Sequence, residues 1–435
     1  MSPTAPAPAP ALGGAQYLRL VGIGALIGIP AALIAVLFQA LVHKTETLLW
    51  TDLPDAMGLD GPPWWLVLAL PVVGALLVWG ARVLLPGDGG HEPIKGLNAA
   101  PTAVRYAPGV ALAAFGTLAF GGVLGPEAPL IALGSAVGMI FVGRLKLSGP
   151  AETVLSTSGS FSAVSALFGG PVVAGALLLE AGVAAGSAII PVLLPGAVAA
   201  AVGYVLIVGL GSWSGIPMHG LSVPDLPAYD NTRVVDLLIA VAAGVVIAAL
   251  VLVLRTVGER LVDLQPRFGI GPSLLLGALV VGLLALAVEG LGGNYSDVLF
   301  SGQSDLPHLL TLGAGWVSLA IIAAKALAYV ICLGVGFRGG PIFPAIFIGV
   351  GVAILLGGMA GMSPTVALAI GTAAGMSAFS RLMFSSLVFV ILIVGGTDAA
   401  TTMPAATLAA ASAWLVVRVA DQRKATAEQA ATAAA

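Results

Sequence analysis

Charge is what this chain has least of. Only 9% of its 435 residues are Asp, Glu, Lys or Arg, against 59% hydrophobic, and a soluble globule of that length cannot be coated with so little polar surface. There is one cysteine, Cys332, set in an apolar run, so an intramolecular disulfide framework is excluded. Four histidines, His43, His91, His219 and His308, are scattered, and no spacing among them or with Cys332 resembles a metal site or a nucleophile beside its base. Hydrolytic chemistry has no support, no cofactor is expected, and the chain does not read as an enzyme. Its net charge of −3 gives no reason to expect a nucleic-acid partner. Residues 1–14 are Pro/Ala-rich without a charged start and apolar core, so they read as a disordered leader and not as a cleaved signal peptide. The tail 421–435 is short and expected to be cytoplasmic, with no room for a soluble regulatory domain.

What is present is apolar sequence, with a mean hydropathy of +1.07. Runs long enough for a hydrocarbon core of about 30 Å recur throughout, and they set helices rather than a barrel. The expected partner is therefore the lipid bilayer, and the fold class is an all-α integral membrane bundle. Fourteen segments are readable, near 17–42, 64–85, 107–124, 126–143, 152–168, 170–187 and 189–209, then 234–264, 272–290, 315–337, 340–360, 364–379, 382–396 and 403–420. Each set of seven has two longer members followed by five short or Gly/Pro-interrupted ones, as in discontinuous helices lining a midplane site.

The two sets read as related copies, residues 15–225 and 226–420. Gly125-Pro126-Glu127-Ala128-Pro129 returns as Gly340-Pro341-Ile342-Phe343-Pro344, and Gly134 answers Gly349, each glycine pair 215 positions apart. Pro171 and Met383 stand 212 apart, and Ser165-Ala166-Leu167-Phe168 is echoed by Ser377-Ala378-Phe379-Ser380. Seven crossings per copy make the repeat inverted. Arg82, Lys95, Arg105, Arg144, Lys146, Arg255, Arg260 and Arg267 fall on one side, where the opposite loops offer little beyond Lys44 and Arg233. With Arg19, Arg418, Arg423 and Lys424, this places both termini in the cytoplasm. Abundant alanine and glycine suggest a high-GC genome and so a prokaryotic plasma membrane.

Pro126 and Pro341 mark two helix starts, since proline fits the first helical position without losing a bonded N–H. The amides after them stay free, and paired helix starts in a membrane aim positive dipole ends at a passing ion. That points to a small inorganic anion. Glu127 follows the first proline, where dipole and amides stabilise its anionic form and let it occupy a site otherwise held by a mobile anion. Protonation releases it, which makes one group both gate and proton carrier; the bland reading is a structural carboxyl satisfying nearby N–H groups. Glu180 is either a second polar point on a pathway or a partner for nearby backbone. For Lys325 and Arg381 the reading is snorkelling or pairing with a helix C-terminus, and for Arg338 a positive potential near the second helix start.

These features resemble the chloride channel and proton/chloride antiporter (CLC) family. Its inverted repeat brings helix N-termini to a central anion, with a gating glutamate between a glycine-basic pair and a glycine-proline pair. The resemblance runs from about Tyr17 to Arg418 and is clearest from Phe115 to Gly138, from Phe168 to Glu180 and from Gly339 to Gly349. It implies Glu127 as gate and Gly125, Ala128, Gly340, Ile342 and Phe343 around the ion. Gly90 falls where the family carries a serine-bearing loop, in Gly89-Gly90-His91-Glu92-Pro93. Departures cluster at the ion. Pro126 replaces a basic residue, Ala128 a glycine, and Pro341 removes an amide. Ala399 stands where an ion-coordinating tyrosine is expected, with Thr401 and Thr402 as the nearest hydroxyls. Glu180 matches the first of two adjacent family glutamates, but the second, which carries internal protons in antiporters, is Ala181.

The expectation is transport of a chloride-like anion through a pore gated by Glu127, channel-like more than antiporter-like, in a homodimer. The alternatives are a proton-coupled exchanger of chloride or fluoride, with protons as a second partner, and a membrane scaffold that has lost transport.

Overall fold

The structure is a computed structural model describing residues 14–98, 100–182, 189–214, 221–396 and 398–434. Among these, fourteen helices of twelve residues or more follow one another. They are α1 (Gly14–Thr47), α2 (Trp64–Leu84), α3 (Ala107–Leu118), α4 (Glu127–Arg144), α5 (Pro150–Phe168), α6 (Pro171–Gly182) and α7 (Ile189–Ser214). The second set is α8 (Val234–Phe268), α9 (Ile270–Gly290), α10 (Trp316–Val335), α11 (Ile342–Gly358), α12 (Pro364–Ser380), α13 (Met383–Val394) and α14 (Asp398–Ala434). Every one lies on an expected segment. Only α14 extends far past its expected end at 420, because Ala, Gln, Lys, Arg and Glu beyond Arg418 are strong helix formers. Of the Pro/Ala leader only Gly14 belongs to the described residues, and His219 lies outside them.

The two sets of seven use the same neighbours. In the first, α5 packs against α1, α4 and α7; in the second, its counterpart α12 packs against α8, α11 and α14. These two central helices are almost wholly buried, and small residues let their neighbours approach. Gly159 of α5 lies against the Gly134 carbonyl of α4, and Gly371 of α12 against the backbone of Gly349 and Val350 on α11, so that a Cβ on either glycine would overlap backbone. Close backbone contact of this kind is how helices pack where lipid removes the hydrophobic drive.

Hydroxyls inside the bundle are used locally. Ser158 donates to Val154 O at 2.7 Å, Ser160 to Ile131 O at 2.9 Å and Ser162 to Gly28 O at 2.6 Å. The outside is the reverse, with Leu18, Leu37, Leu238, Leu276 and Leu415 all more than half exposed. Apolar outside and bonded polar groups inside is the arrangement a bilayer demands. Among the described residues eight helices are long and apolar enough to cross a membrane, while α6, α11, α12 and α13 are shorter. The short members place helix ends, and their dipoles, inside the protein.

Candidate functional site

The two proline-led turns meet. Gly125 and Gly340 form an isolated antiparallel bridge in which the Gly125 N–H donates to Gly340 O at 2.6 Å and the Gly340 N–H to Gly125 O at 2.5 Å. Pro126 and Pro341 follow with φ −83° and −92° and ψ near zero, and stand at the cap positions, one residue before the helices begin. This corrects the expectation that each proline is the first helical residue. With ψ near zero, neither proline has entered the helix, although Pro126 O already accepts the first helical bond, from Leu130 N at 3.1 Å.

Glu127, the first residue of α4, is completely buried. Its Oε1 accepts from Ile342 N at 2.8 Å and from Phe343 N at 3.1 Å, the first two amides of α11. A carboxylate from one half thus occupies the positive end of a helix in the other, the position a mobile anion would take. Its Oε2 has no hydrogen-bond partner among the described residues. A Cβ added at either Gly125 or Gly340 would overlap that oxygen, so the two glycines shape a slot for the carboxylate. Phe343 is itself buried, in a ring cluster with Phe168 and Phe389 whose centroids are 4.5–6.3 Å apart.

The expected ion-site residues therefore separate. Gly125, Ala128, Gly340, Ile342 and Phe343 surround Glu127, but the amides of Gly125 and Gly340 are spent on each other, which leaves Ile342 and Phe343 as the donors. Gly90 is not brought in as a ligand. It has φ +101°, and its N–H closes a turn onto Gly87 O at 2.9 Å. Thr401 and Thr402 are also committed elsewhere. Thr401 donates to Tyr229 O at 2.7 Å and Thr402 to Asp398 O at 2.9 Å, which ties down the start of α14.

Glu180 repeats the pattern of Glu127 on a second helix. Its carboxylate accepts from Phe384 N at 2.9 Å, Ser385 N at 2.7 Å and Ser385 Oγ at 2.7 Å, and so caps the start of α13. Glu180→Gln is expected to lower stability by about 1–2 kcal/mol, the worth of a charge-assisted cap, and to leave the pH profile of transport unchanged; thermal unfolding and flux measurements check both.

Basic residues near the second turn are held in place. Asp88 accepts from Arg82 Nε at 2.8 Å and from Arg338 Nη2 at 2.5 Å, and the Arg338 N–H donates to Thr117 Oγ1 at 3.2 Å. Arg338 thus serves to lock the 86–92 loop to the approach of α11. Lys325 is buried and donates to Leu299 O at 2.7 Å, at the end of the short helix Tyr295–Val298. Arg381 pairs with Asp421 on α14 at 2.6 Å. Sequence reasoning missed Tyr329, fully buried on α10, whose hydroxyl donates to Pro341 O at 2.7 Å. A tyrosine near the middle of an apolar run was the available signal, because its hydroxyl needs a partner in the bilayer core.

An open cavity of about 420 Å³ runs down to Pro126 from one face, walled by Phe38, Glu46, Trp50, Tyr295 and Asp305 among others. The cavity thus ends one residue before Glu127.

Residues 73–417 match the family model described as voltage gated chloride channel. The chain is 31% identical over 359 residues to the "Putative ion-transport protein YfeO" of Salmonella newport (strain SL254), covering 79% of this chain and 81% of that one. Among solved structures it resembles a slow cyanobacterial Cl-/H+ antiporter, with TM-score 0.75, 15% identity and coverage of 95% of this chain and 99% of that one. It also resembles a CLC-type fluoride/proton antiporter, with TM-score 0.74, 19% identity and coverage of 94% and 97%. At those identities the structures speak for the fold alone; the family match and the ion-transport relative speak for kinship. The chain belongs to the voltage gated chloride channel (CLC) family.

Proposed function

We propose that this protein passes a small inorganic anion across a prokaryotic plasma membrane, with both termini in the cytoplasm and with Glu127 as the gate. The single observation that carries the reading is the Glu127 carboxylate seated on the first two amides of α11. An anion that displaces it gains the same two donors and the same dipole end. Passive flux is the leading form, because Ala181 stands where an internal proton carrier would be needed. A homodimer with one pore per subunit is carried over from the family resemblance.

Proton-coupled exchange is the second reading, favoured by Glu127 Oε2. That oxygen has no donor to lose and can take a proton without breaking a hydrogen bond. Both readings are tested by purified protein in liposomes under a chloride gradient, with proton movement recorded at the same time. Anion flux without proton flux supports the channel, coupled flux supports the exchanger, and no flux of chloride, fluoride or nitrate from folded protein overturns both in favour of a scaffold.

The outer vestibule adds a pH effect. Burial pushes the Asp305 carboxyl up to about 6, against the opposing pull of the Lys325 charge. As external pH rises through that value, Asp305 ionises and the mouth gains a negative charge beside Glu46. Anion entry from that side is expected to fall roughly twofold, the scale of one partly solvated charge several ångströms away. Asp305→Asn should flatten this step, read as flux against external pH.

A further inference from the structure

A second cavity, of about 510 Å³, lies between α8 and α14 beside the turn that follows α12. On the orientation proposed above it opens to the cytoplasm. Three cations and three carboxylates wall it: Arg255, Arg381 and Lys424, with Glu259, Asp421 and Glu428. Two of the cations are satisfied. Arg381 makes bonds of 2.6 and 3.0 Å to Asp421, and Lys424 one of 2.9 Å to Glu259.

Arg255 is different. It forms no ion pair among the described residues, and its Nη1 is buried without a hydrogen-bond partner. A buried guanidinium N–H with no acceptor bears its full desolvation cost. Charged side chains on membrane helices that face a cavity mark ion pathways. None of the residues that wall this cavity walls the one that reaches Pro126.

We propose that Arg255 is an anion-recruiting site at the inner mouth, where the guanidinium binds the transported anion before it reaches the amides that Glu127 occupies. The inference rests on the transport reading and adds a second binding point to it. The ligand class follows from the walls. Glu259, Asp421 and Glu428 oppose a polyvalent anion such as a phosphorylated metabolite, while a small monovalent anion needs only the unbonded Arg255 Nη1.

The test uses chloride as probe on wild type, Arg255→Gln and Arg255→Lys. Isothermal titration of the intact protein in detergent should show chloride binding that weakens about tenfold in Arg255→Gln, as for loss of one charge-assisted hydrogen bond, and recovers within about threefold in Arg255→Lys. In liposomes with one orientation selected, Arg255→Gln should raise the half-saturating internal chloride by about the same factor and leave the external dependence as in wild type. Unfolding midpoints of the variants that match wild type show that folding is intact. Unchanged binding and unchanged internal dependence overturn the site while transport stands. Absent flux with Arg255-dependent binding overturns the transport reading while the site stands. Repeating the titration in phosphatidylcholine and phosphatidylglycerol nanodiscs separates the remaining source. Equal chloride affinity supports the proposal, and displacement of chloride by the anionic lipid assigns Arg255 to a headgroup and overturns it.

Discussion

Replacing Glu127 by glutamine raises anion flux about tenfold and removes the part of its pH dependence that comes from the gate, leaving only the roughly twofold step at Asp305. Glutamine retains one carbonyl oxygen to accept from Ile342 N and Phe343 N, so the side chain still fits between the glycines. It loses the charge. A hydrogen bond to a charged group contributes about 1.5–3 kcal/mol and one between neutral groups about 0.5–1.5 kcal/mol. The plug is therefore weakened by roughly 1.4 kcal/mol, a factor of about ten in its occupancy. Glutamine also has no proton to gain or lose in this range, which removes the gate's share of the pH profile. Flux from chloride-loaded liposomes at several pH values measures both effects. A variant with wild-type rate and wild-type pH response would falsify the assignment of Glu127 as gate, and would return it to the role of a structural carboxyl.

Gly340→Ala displaces the same carboxylate without touching its charge. A Cβ at that position would overlap Glu127 Oε2 and lie 3.0 Å from the Glu127 amide, so the side chain must leave the slot or the turn must move. Overpacking of this kind costs about 1–3 kcal/mol. The expected result is a less stable protein whose flux keeps only the pH step at Asp305. In a Glu127→Ala background most of the clash is gone. A double-mutant cycle on thermal stability should then return a coupling of about 1–3 kcal/mol between the two positions. Additive effects would mean that the methyl group is absorbed elsewhere and that the slot is not tight.

Much of this was legible because the bilayer limits what a chain can do. With strands excluded and backbone groups paired inside each segment, apolar run length and Gly/Pro interruptions were enough to place all fourteen helices. The repeat added the rest of the frame. Residues 215 positions apart, Gly125 and Gly340, are the two that bond to each other. The site was less legible wherever a backbone amide had two possible uses. Gly125, Gly340 and Gly90 were expected around the ion, and the N–H of each donates to a carbonyl. Sequence marks a glycine but does not say what its amide faces. Thr401 and Thr402 show the same ambiguity, since a hydroxyl in an apolar surround takes the nearest carbonyl. Glu127 and Glu180 stood out in the sequence because a carboxylate in an apolar run is costly wherever it points, but their partners, α11 and α13, depend on contacts more than 200 residues away in the chain.

The glycine bridge bears on how transport can proceed. Any rocker-like motion that swings one half of the molecule away from the other must strip four peptide groups at its centre, and no solvent is available there to replace them. Rotation of one carboxyl side chain breaks none of those bonds. On the proposed gating by Glu127, opening belongs to the time scale and amplitude of a rotamer change within a fixed frame, and a cross-link between the halves near this point should leave anion flux intact.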